Sequence, residues 1–307
     1  MSVSDPSPSV LIADAVARLS AAGVESPRAD ADWLLAHALR VDRGRLLLVD
    51  DVPPRAAAEF EQMLRRREAR EPLQHVIGRV AFGLPDGAAV DLRVGPGVFI
   101  PRPETELLLQ WAVSTAPADA VVADFCSGSG ALAIGLAAAC TDLRVLAVER
   151  SAAALTWLRR NIAAQPLPIA QRIVVLAADV TDPDGMRRAL AEQAEPLGWP
   201  VDEPLDLVVA NPPYVPTMQD GVPTRVSPEV RADPAEAVFA GPDGMAVIVP
   251  MLDAVRGLGR SGTALGVEHD DATGTAVAAA LEAAGFTGIT ARSDLAGAPR
   301  LHTAVQG

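Results

Sequence analysis

From residue 121 onward the chain alternates short apolar runs with longer segments of helical pattern. Short runs rich in valine, leucine and alanine, bounded by turn residues, are typical of strands that are buried on both sides. The alternation predicts an α/β fold, a doubly wound parallel sheet that holds its ligands at the carboxyl ends of its strands. The predicted strands span residues 121–124, 144–148, 173–177, 205–210 and 263–267.

The first seventy residues carry helical signals and no alternating strand pattern. Leu11 and Leu19 share one helical face, and Gly23 then follows as a residue suited to end a helix. Two further helices are predicted to open at Pro27 and after Pro53, because proline suits the first helical turn. Apolar stretches broken by glycine and proline then predict a β-hairpin connector. The expected domains are a small helical bundle at 1–73, the connector at 74–103 and the α/β domain at 104–307.

A tetrapeptide of unusual chemistry, Asn211-Pro212-Pro213-Tyr214, directly follows the predicted strand 205–210. Each proline restricts its own φ and pushes the preceding residue toward an extended conformation, so the pair forms a rigid corner. The Asn oxygen and a Pro carbonyl can accept the two hydrogens of a planar –C–NH2 group, while the Tyr ring covers its face. The corner predicts chemistry on an amide or exocyclic nitrogen, and both glutamine and adenine fit it.

A turn of small residues after the first predicted strand indicates a nucleotide site. Its glycines allow close backbone approach, and the helix that follows presents free N–H groups. Glu149 ends the next strand and can accept both hydroxyls of a ribose. Asp179 follows the third strand and can accept from an adenine amino group, or it can serve only as a turn residue. A dinucleotide and S-adenosylmethionine both remain possible ligands, and the Gly-x-Gly spacing after Asp124 is more typical of the latter.

Composition narrows the classes of ligand and partner. All 26 basic residues are arginine, which excludes a Schiff-base lysine and a P-loop lysine. The formal net charge is −13, whereas a DNA-binding protein normally carries a basic face. The basic run at 65–70 is interpreted as a solvated helix face. The two cysteines and four histidines show no metal-binding spacing, and no membrane span or signal peptide is evident, so we expect no metal and a cytoplasmic location.

Five motifs carry a family resemblance: Phe99-Ile100-Pro101-Arg102-Pro103-Glu104-Thr105-Glu106, the turn from Asp124 to Gly130, Asn211 to Tyr214, Gly241-Pro242-Asp243-Gly244, and Asp294-Leu295-Ala296-Gly297. Together they resemble the protein-glutamine N5-methyltransferases that modify peptide chain release factors. The Asn-Pro-Pro-Tyr motif alone is shared with adenine-N6 DNA methyltransferases. The resemblance covers nearly the whole chain. Its specificity therefore rests on the segment Arg102-Pro103-Glu104-Thr105-Glu106 and on the two-domain layout.

The resemblance implies a Rossmann-like class I methyltransferase domain that uses S-adenosylmethionine, preceded by a helical substrate-recognition domain. The turn and Glu149 would hold the methionine and ribose parts, Asp179 and Val180 would border the adenine, and the Asn211 corner would hold a glutamine of the Gly-Gly-Gln motif of class 1 peptide chain release factors. The implied cofactor-binding residues are Asp124, Cys126, Ser127, Gly128, Ser129, Gly130, Glu149, Asp179, Val180 and Asn211. The implied catalytic residues are Asn211, Pro212 and Tyr214, and Pro213 joins them in binding the substrate.

Two positions depart from the family's usual residues: Cys126 stands in place of glycine, and Glu149 in place of aspartate. No role is assigned to the stretch Glu268-His269-Asp270-Asp271. The motifs do not separate a release factor from a ribosomal protein as the substrate. Adenine-N6 DNA methylation is disfavoured by the acidic charge, and a non-catalytic cofactor-binding protein by the intact Asn211 corner. We expect a monomeric enzyme with no membrane or direct nucleic-acid contact.

Overall fold

The computed structural model describes residues 6–194, 199, 203–219, 222–224, 226–294 and 297–307. Contacts between residues divide the chain into two compact units. The first comprises Met1–Arg79 together with Val226–Ala232, and the second comprises Val80–Arg225 together with Asp233–Gly307. The short segment Val226–Ala232 therefore belongs to the N-terminal unit, although it lies far along the chain.

The first unit is helical, as its sequence predicts. Proline lies in the first turn of three of its helices, where its missing N–H costs no hydrogen bond. Gly23 follows the first helix at φ 73°, which confirms the predicted end signal. The core of the unit buries Leu19, Leu34, Leu35 and Phe60 to at most 2% exposure. The helices are α1 (Pro8–Ala21), α2 (Pro27–Leu39), α3 (Pro54–Glu68) and α4 (Leu73–Ile77), with a 3-10 turn at Arg43–Leu48.

All four arginines of the run 65–70 form ion pairs within the first unit. Two of them pair with surface glutamates, as expected of a solvated helix face. Arg67 is instead 5% exposed and contacts Asp30 at 2.7 Å and Glu229 at 3.0 Å, and Arg70 contacts Glu229 at 2.7 Å. The solvated-face interpretation is wrong for Arg67, because a carboxylate as buried as Asp30 requires a buried cation beside it.

The second unit contains a hairpin and a large sheet with helices on both faces. The predicted hairpin is present within residues 74–103, and the apolar residues 98–100 at the end of that connector form no strand. The strands are β1 (Arg79–Gly83), β2 (Ala89–Arg93), β3 (Val121–Phe125), β4 (Arg144–Glu149), β5 (Ile173–Ala177), β6 (Leu205–Ala210), β7 (Met218–Gln219), β8 (Val222–Pro223), β9 (Gly259–Glu268), β10 (Phe286–Ser293) and β11 (Pro299–Gln306). The helices are α5 (Thr105–Thr115), α6 (Ala131–Ala139), α7 (Ala152–Ala163), α8 (Leu167–Ala170), α9 (Pro183–Ala189), α10 (Ala235–Val238), α11 (Ile248–Leu258) and α12 (Gly274–Ala283), with an irregular turn at Leu190–Ala194. The 3-10 turn at Val230–Ala232 belongs to the first unit.

The central sheet has the strand order β10-β11-β9-β6-β3-β4-β5, and its five parallel strands are the five that the sequence predicts. Successive residues of these strands pack into separate cores on the two faces. Val122 and Val209 join the side chains of α5, α6 and α7, whereas Phe125 and Val208 join those of α9, α11 and α12. Burial on both faces is why these strands appear as continuous apolar runs in the sequence.

The strands β10 and β11, which no sequence pattern predicted, extend the sheet at one edge in antiparallel fashion. In β10 only Phe286 is buried, and the other residues are exposed or half-buried. Since an exposed edge strand needs no apolar alternation, its sequence carries little strand signal. Within the described residues no helix is both long and apolar enough to cross a membrane.

Candidate active site

A cleft lies at the carboxyl edge of the parallel strands, within the second unit. Ala210 pairs with Phe125 on one side and with Val267 on the other, so the residues that follow these strands meet at one edge. The cleft holds about 910 Å3 of open space, its mouth included. Gly130, Pro212 and Tyr214 are not among its lining residues. The predicted residues that do line it are Asp124, Cys126, Ser127, Gly128, Ser129, Glu149, Asp179, Val180, Asn211 and Pro213.

The turn after β3 is held by backbone hydrogen bonds, one to β4 and one within the turn. The Ser127 N–H donates to the Val148 carbonyl at 3.0 Å, and the Gly130 N–H donates to the Ser127 carbonyl at 2.8 Å. Gly130 adopts φ 90°, and a Cβ there would lie 2.7 Å from a methyl group of Leu158. Glycine is therefore required at this position for both its backbone conformation and its packing, and α6 begins at the next residue.

Cys126 adopts φ 62°, in the left-handed region that favours glycine. A side chain in this conformation costs about 1–2 kcal/mol, so glycine, the residue that the resemblance implies here, would fit the position with less strain than cysteine. Burial, with the nearby Glu149 and Asp124 carboxylates, also raises the pKa of the Cys126 thiol, so it stays protonated and unreactive at neutral pH.

We expect Cys126→Gly to keep the free energy of unfolding within about 1 kcal/mol of the native value, because relief of strain offsets the loss of thiol packing. Cys126→Val should be at least about 1 kcal/mol less stable than the native protein, since a β-branched residue is strained at positive φ. Urea denaturation of both variants measures the difference. Equal stability of the glycine and valine variants would contradict the strain argument.

The Glu149 carboxylate ties the turn to the next strand. One oxygen accepts from the Gly128 N–H at 2.9 Å, and the other accepts from the Ser151 N–H at 2.7 Å. Each oxygen of an ionised carboxylate has a second lone pair, so two hydroxyl donors can still be accepted. Glu149 is 8% exposed and lines the cleft, which places an acceptor suited to a ribose beside the turn.

Asp124 is a nearly buried carboxyl group, 1% exposed, at the base of the cleft. Its Oδ2 accepts from the Ala133 N–H at 3.0 Å, and its Oδ1 accepts no hydrogen bond among the described residues. Burial raises the pKa of Asp124 to about 7. An unpaired carboxylate oxygen in a cleft suits a positively charged ligand group. S-adenosylmethionine carries an ammonium and a sulfonium, so the residues present fit this cofactor.

Asp179 is engaged on both of its oxygens. Oδ1 accepts from the N–H and the hydroxyl of Thr181 at 2.9 and 2.7 Å, and Oδ2 accepts from Arg150 at 2.9 Å. These hydrogen bonds and the ion pair lower the pKa of Asp179, although its partial burial acts in the opposite direction. The turn role considered from sequence is therefore present. The carboxylate and the neighbouring Val180 still line the cleft, where an adenine edge could meet them.

Asn211 is oriented by a residue that the sequence left without a role. Its Nδ2 donates to the Thr105 hydroxyl at 3.0 Å, which leaves Oδ1 available to a ligand. Thr105 is 2% exposed, opens α5 and lines the same cleft. Thr105 lies inside the motif at 99–106, so its position was evident, but only the fold places it against Asn211.

Tyr214 is turned toward a second unpredicted residue. Its hydroxyl donates to Oε1 of Glu268 at 3.2 Å. Burial, followed by the Glu268 charge, raises the pKa of Tyr214 well above its ordinary value, so the phenol stays neutral. A phenol with so high a pKa is a weak proton donor at neutral pH, so this environment does not suit Tyr214 to act as an acid. Glu268 is the last residue of a parallel strand, and that position is the sequence signal that could have drawn attention to it.

The glycine-rich motif at 241–244 packs against the backbone of Tyr214 and of the residues that follow the Asn211 corner. Gly244 adopts φ 79°, and a Cβ there would lie 2.3 Å from the Tyr214 carbonyl oxygen. The Thr217 N–H also donates to the Gly241 carbonyl at 2.8 Å. Glycine is needed at 244 because two backbone segments touch there. Of the fifth motif, residues 295 and 296 lie outside the described residues.

The arrangement places an amide oxygen beside a cleft that is suited to a cationic, ribose-containing ligand. In the described ranges, no group of three or more His, Cys, Asp or Glu residues is placed to hold a metal ion. The site offers hydrogen-bond acceptors and a backbone restricted by two prolines to a reacting amide.

Comparisons with known proteins agree with this chemistry. A family model described as the PrmC N-terminal domain matches residues 11–78, and one described as the methyltransferase small domain matches residues 91–190. A release factor glutamine methyltransferase of Mycolicibacterium smegmatis is 48% identical over 295 residues, which cover 95% of each chain. Proteins of the same name from Corynebacterium glutamicum and Streptomyces coelicolor are 42% and 39% identical, each over 95% of this chain and 96% of their own.

Proposed function

This chain belongs to the release factor glutamine methyltransferase family, and from that premise we propose which of its residues carry the reaction. The enzyme transfers a methyl group from S-adenosylmethionine to the side-chain amide nitrogen, N5, of a glutamine in a peptide chain release factor. The proposed target is the glutamine of the Gly-Gly-Gln motif of class 1 factors. The observation that supports the proposal most is the Asn211–Thr105 hydrogen bond, which leaves the Asn211 oxygen free at the cleft.

The proposed work of the Asn211 corner is to make a poor nucleophile reactive. An amide nitrogen shares its lone pair with its carbonyl, so it attacks slowly unless its geometry is constrained. Oδ1 of Asn211 and the Pro212 carbonyl accept its two hydrogens, which raises electron density on nitrogen and fixes its direction. Such positioning can supply about 7–11 kcal/mol of a barrier at its upper limit. The two prolines keep the corner rigid while Pro213 forms part of the wall.

S-adenosylmethionine, when bound, supplies a methyl group on a positively charged sulfur. We assign its ribose hydroxyls to Glu149, its methionine part to the turn Cys126–Gly130, and its adenine to the wall formed by Asp179 and Val180. Asp124 would accept from the ammonium group through its unpaired Oδ1. Asn211 completes the wall on the side of the reacting methyl group.

The proposed partner is a protein rather than a nucleic acid. The most basic run of the chain, residues 65–70, has each of its four arginines in an ion pair with a carboxylate of its own unit. Few free cations remain there for phosphate groups, and the net charge is −13. An acidic protein would instead suit the basic surface of a factor that works on the ribosome. In this proposal the enzyme is a cytoplasmic monomer, and its helical unit takes part in recognising the factor.

The test is to incubate the enzyme with isotope-labelled S-adenosylmethionine and an unmodified class 1 release factor. Mass spectrometry should place one methyl group on the glutamine of the Gly-Gly-Gln motif. A factor with that glutamine changed to alanine is the matched control and should remain unlabelled. Labelling of a ribosomal protein instead, or equal labelling of the control factor, would contradict the proposed substrate.

A further inference from the structure

Glu268 is a buried carboxyl group beside the Asn211 corner that the mechanism above does not use. It ends β9, and the register in which Val267 pairs with Ala210 sets it level with Asn211 at the edge of the sheet. It is 2% exposed. Its Oε1 accepts from the Tyr214 hydroxyl, and its Oε2 is buried without a hydrogen bond of ordinary geometry in the described part of the chain. A buried carboxyl group with one unused oxygen is costly, so its retention calls for a reason.

The chemistry of the neighbours suggests the reason. The hydroxyls of Thr105 and Tyr214 both stabilise the charged form of Glu268 and thereby lower its pKa, against the larger effect of burial. Thr105 has one hydrogen to donate. No hydrogen bond among the described residues gives the Thr105 hydrogen an acceptor, and none gives Oε2 of Glu268 a donor. Because an ionised carboxylate can only accept, Glu268 is the acceptor available to that hydrogen, and the Thr105 oxygen is left to accept from Asn211.

We propose that Glu268 is a positioning residue, which sets the orientation of the Asn211 amide through Thr105 and holds the Tyr214 ring in place. The two ends of an Asn amide are nearly equal in shape, so only hydrogen-bond partners decide which end faces a ligand. With a carboxylate at 268, Nδ2 must face Thr105 and Oδ1 must face the substrate. This inference rests on the proposed function, because an amide oxygen at that point is useful only to a substrate that donates N–H groups.

Glu268→Gln is expected to reverse the orientation of the Asn211 amide. A Gln amide can donate to Thr105, whose hydroxyl can then donate to Asn211 Oδ1 and turn the Asn211 NH2 toward the substrate. The NH2 group of Asn211 would then face the NH2 group of the substrate amide. Glu268→Gln keeps the size of the side chain but reverses the hydrogen bonds, so it separates the proposed role from simple packing.

Protonation of Glu268 should act in the same direction as the Gln substitution. Burial raises the pKa of Glu268 to about 7, Glu104 raises it further, and Arg300 lowers it. The other ionisable groups near this end of the sheet are His269 and His302, whose own pKa values are lowered by burial, and Asp270. The carboxylate form therefore prevails above about pH 7, and the Asn211 orientation should be best fixed there.

Tyr214 offers a direct readout, because it is the only tyrosine of the chain. Protein labelled with 13C at tyrosine Cζ should give one resonance that shifts with pH, with a midpoint near 7, as Glu268 ionises. The shift should vanish in Glu268→Gln and persist in Glu282→Gln, which removes an exposed carboxylate elsewhere. A wild-type resonance that does not titrate, or one that titrates equally in Glu268→Gln, would overturn the proposal. This measurement needs no release factor, so it separates the proposal from the proposed function.

Measurements of enzyme activity provide a second test of the positioning role. In Glu268→Gln, kcat should fall about tenfold or more while the Kd for S-adenosylmethionine changes less than about twofold, because the effect concerns orientation at the substrate. The rise of kcat with pH through about 7 should be lost in that variant. Thr105→Val should show the same loss of kcat, and Thr105→Ser should restore most of it. Native kcat and pH dependence in both Glu268→Gln and Thr105→Val would refute the positioning role.

Discussion

Asn211→Ala is expected to lower kcat for methyl transfer about 1,000-fold while the Kd for S-adenosylmethionine stays within about threefold of the native value. Alanine removes the acceptor that Thr105 directs toward the cleft, so the substrate amide loses both a hydrogen bond and its alignment. The proposed cofactor contacts, with the turn after β3 and with Glu149 at the end of β4, are not altered by this substitution. Initial-rate methylation of a release factor and calorimetric titration of the cofactor measure the two quantities.

Asn211→Asp provides a matched variant of the same size. Its carboxylate still offers an oxygen to the substrate, but it places an acceptor against Thr105, whose single hydrogen is directed at Glu268. We expect a loss of kcat smaller than that of Asn211→Ala, at about 100-fold. If Asn211→Ala retained more than about a tenth of the native kcat, Asn211 would not be the group that activates the amide.

Glu149→Ala is expected to weaken the binding of S-adenosylmethionine about 100-fold, or about 2.7 kcal/mol. Two charge-assisted acceptors for the ribose are lost, and the N–H groups of Gly128 and Ser151 lose the partner that holds the turn. Glu149→Gln should cost less, about tenfold, because one amide oxygen remains as an acceptor. Since the substrate corner is untouched, kcat should recover at saturating cofactor.

Calorimetric titration with S-adenosylmethionine and with the demethylated product measures the loss. Glu203→Ala is the control, since Glu203 is an exposed residue before β6, whereas the cleft lies at the other end of that strand. Cofactor affinity within threefold of native in Glu149→Ala would contradict the assignment of Glu149 to the ribose.

Much of the fold was predictable because burial leaves a simple pattern in the sequence. The five parallel strands appear as apolar runs since both faces of each are covered, and the helices α1, α2 and α3 carry proline start signals. The edge strand β10 escaped prediction because most of its side chains face solvent and need not alternate. The burial of Arg67 was not predicted for a related reason. No residue adjacent to it in the sequence indicates that Asp30 and Glu229 will form ion pairs with it.

The candidate site, like the fold, was predictable from the sequence only in part. Asn211 and the turn after β3 each directly follow a strand, and Glu149 ends one. They were evident from the sequence because parallel strands bring their carboxyl ends to one edge. One indication of the left-handed backbone at Cys126 was present in the sequence: a cysteine stands where the resemblance implies glycine.

The sequence by itself determined the chemistry on offer: an amide held by two prolines, a small-residue turn followed by an acid, and an acidic chain with no lysine. Only the tertiary structure decided how the amide is oriented. Thr105 lies 106 residues before Asn211 and Glu268 lies 54 residues after Tyr214, yet hydrogen bonds join these groups at the end of the sheet. A hydrogen bond depends on distances of about 3 Å between atoms, and residues so far apart along a chain reach such distances only once the strands have paired.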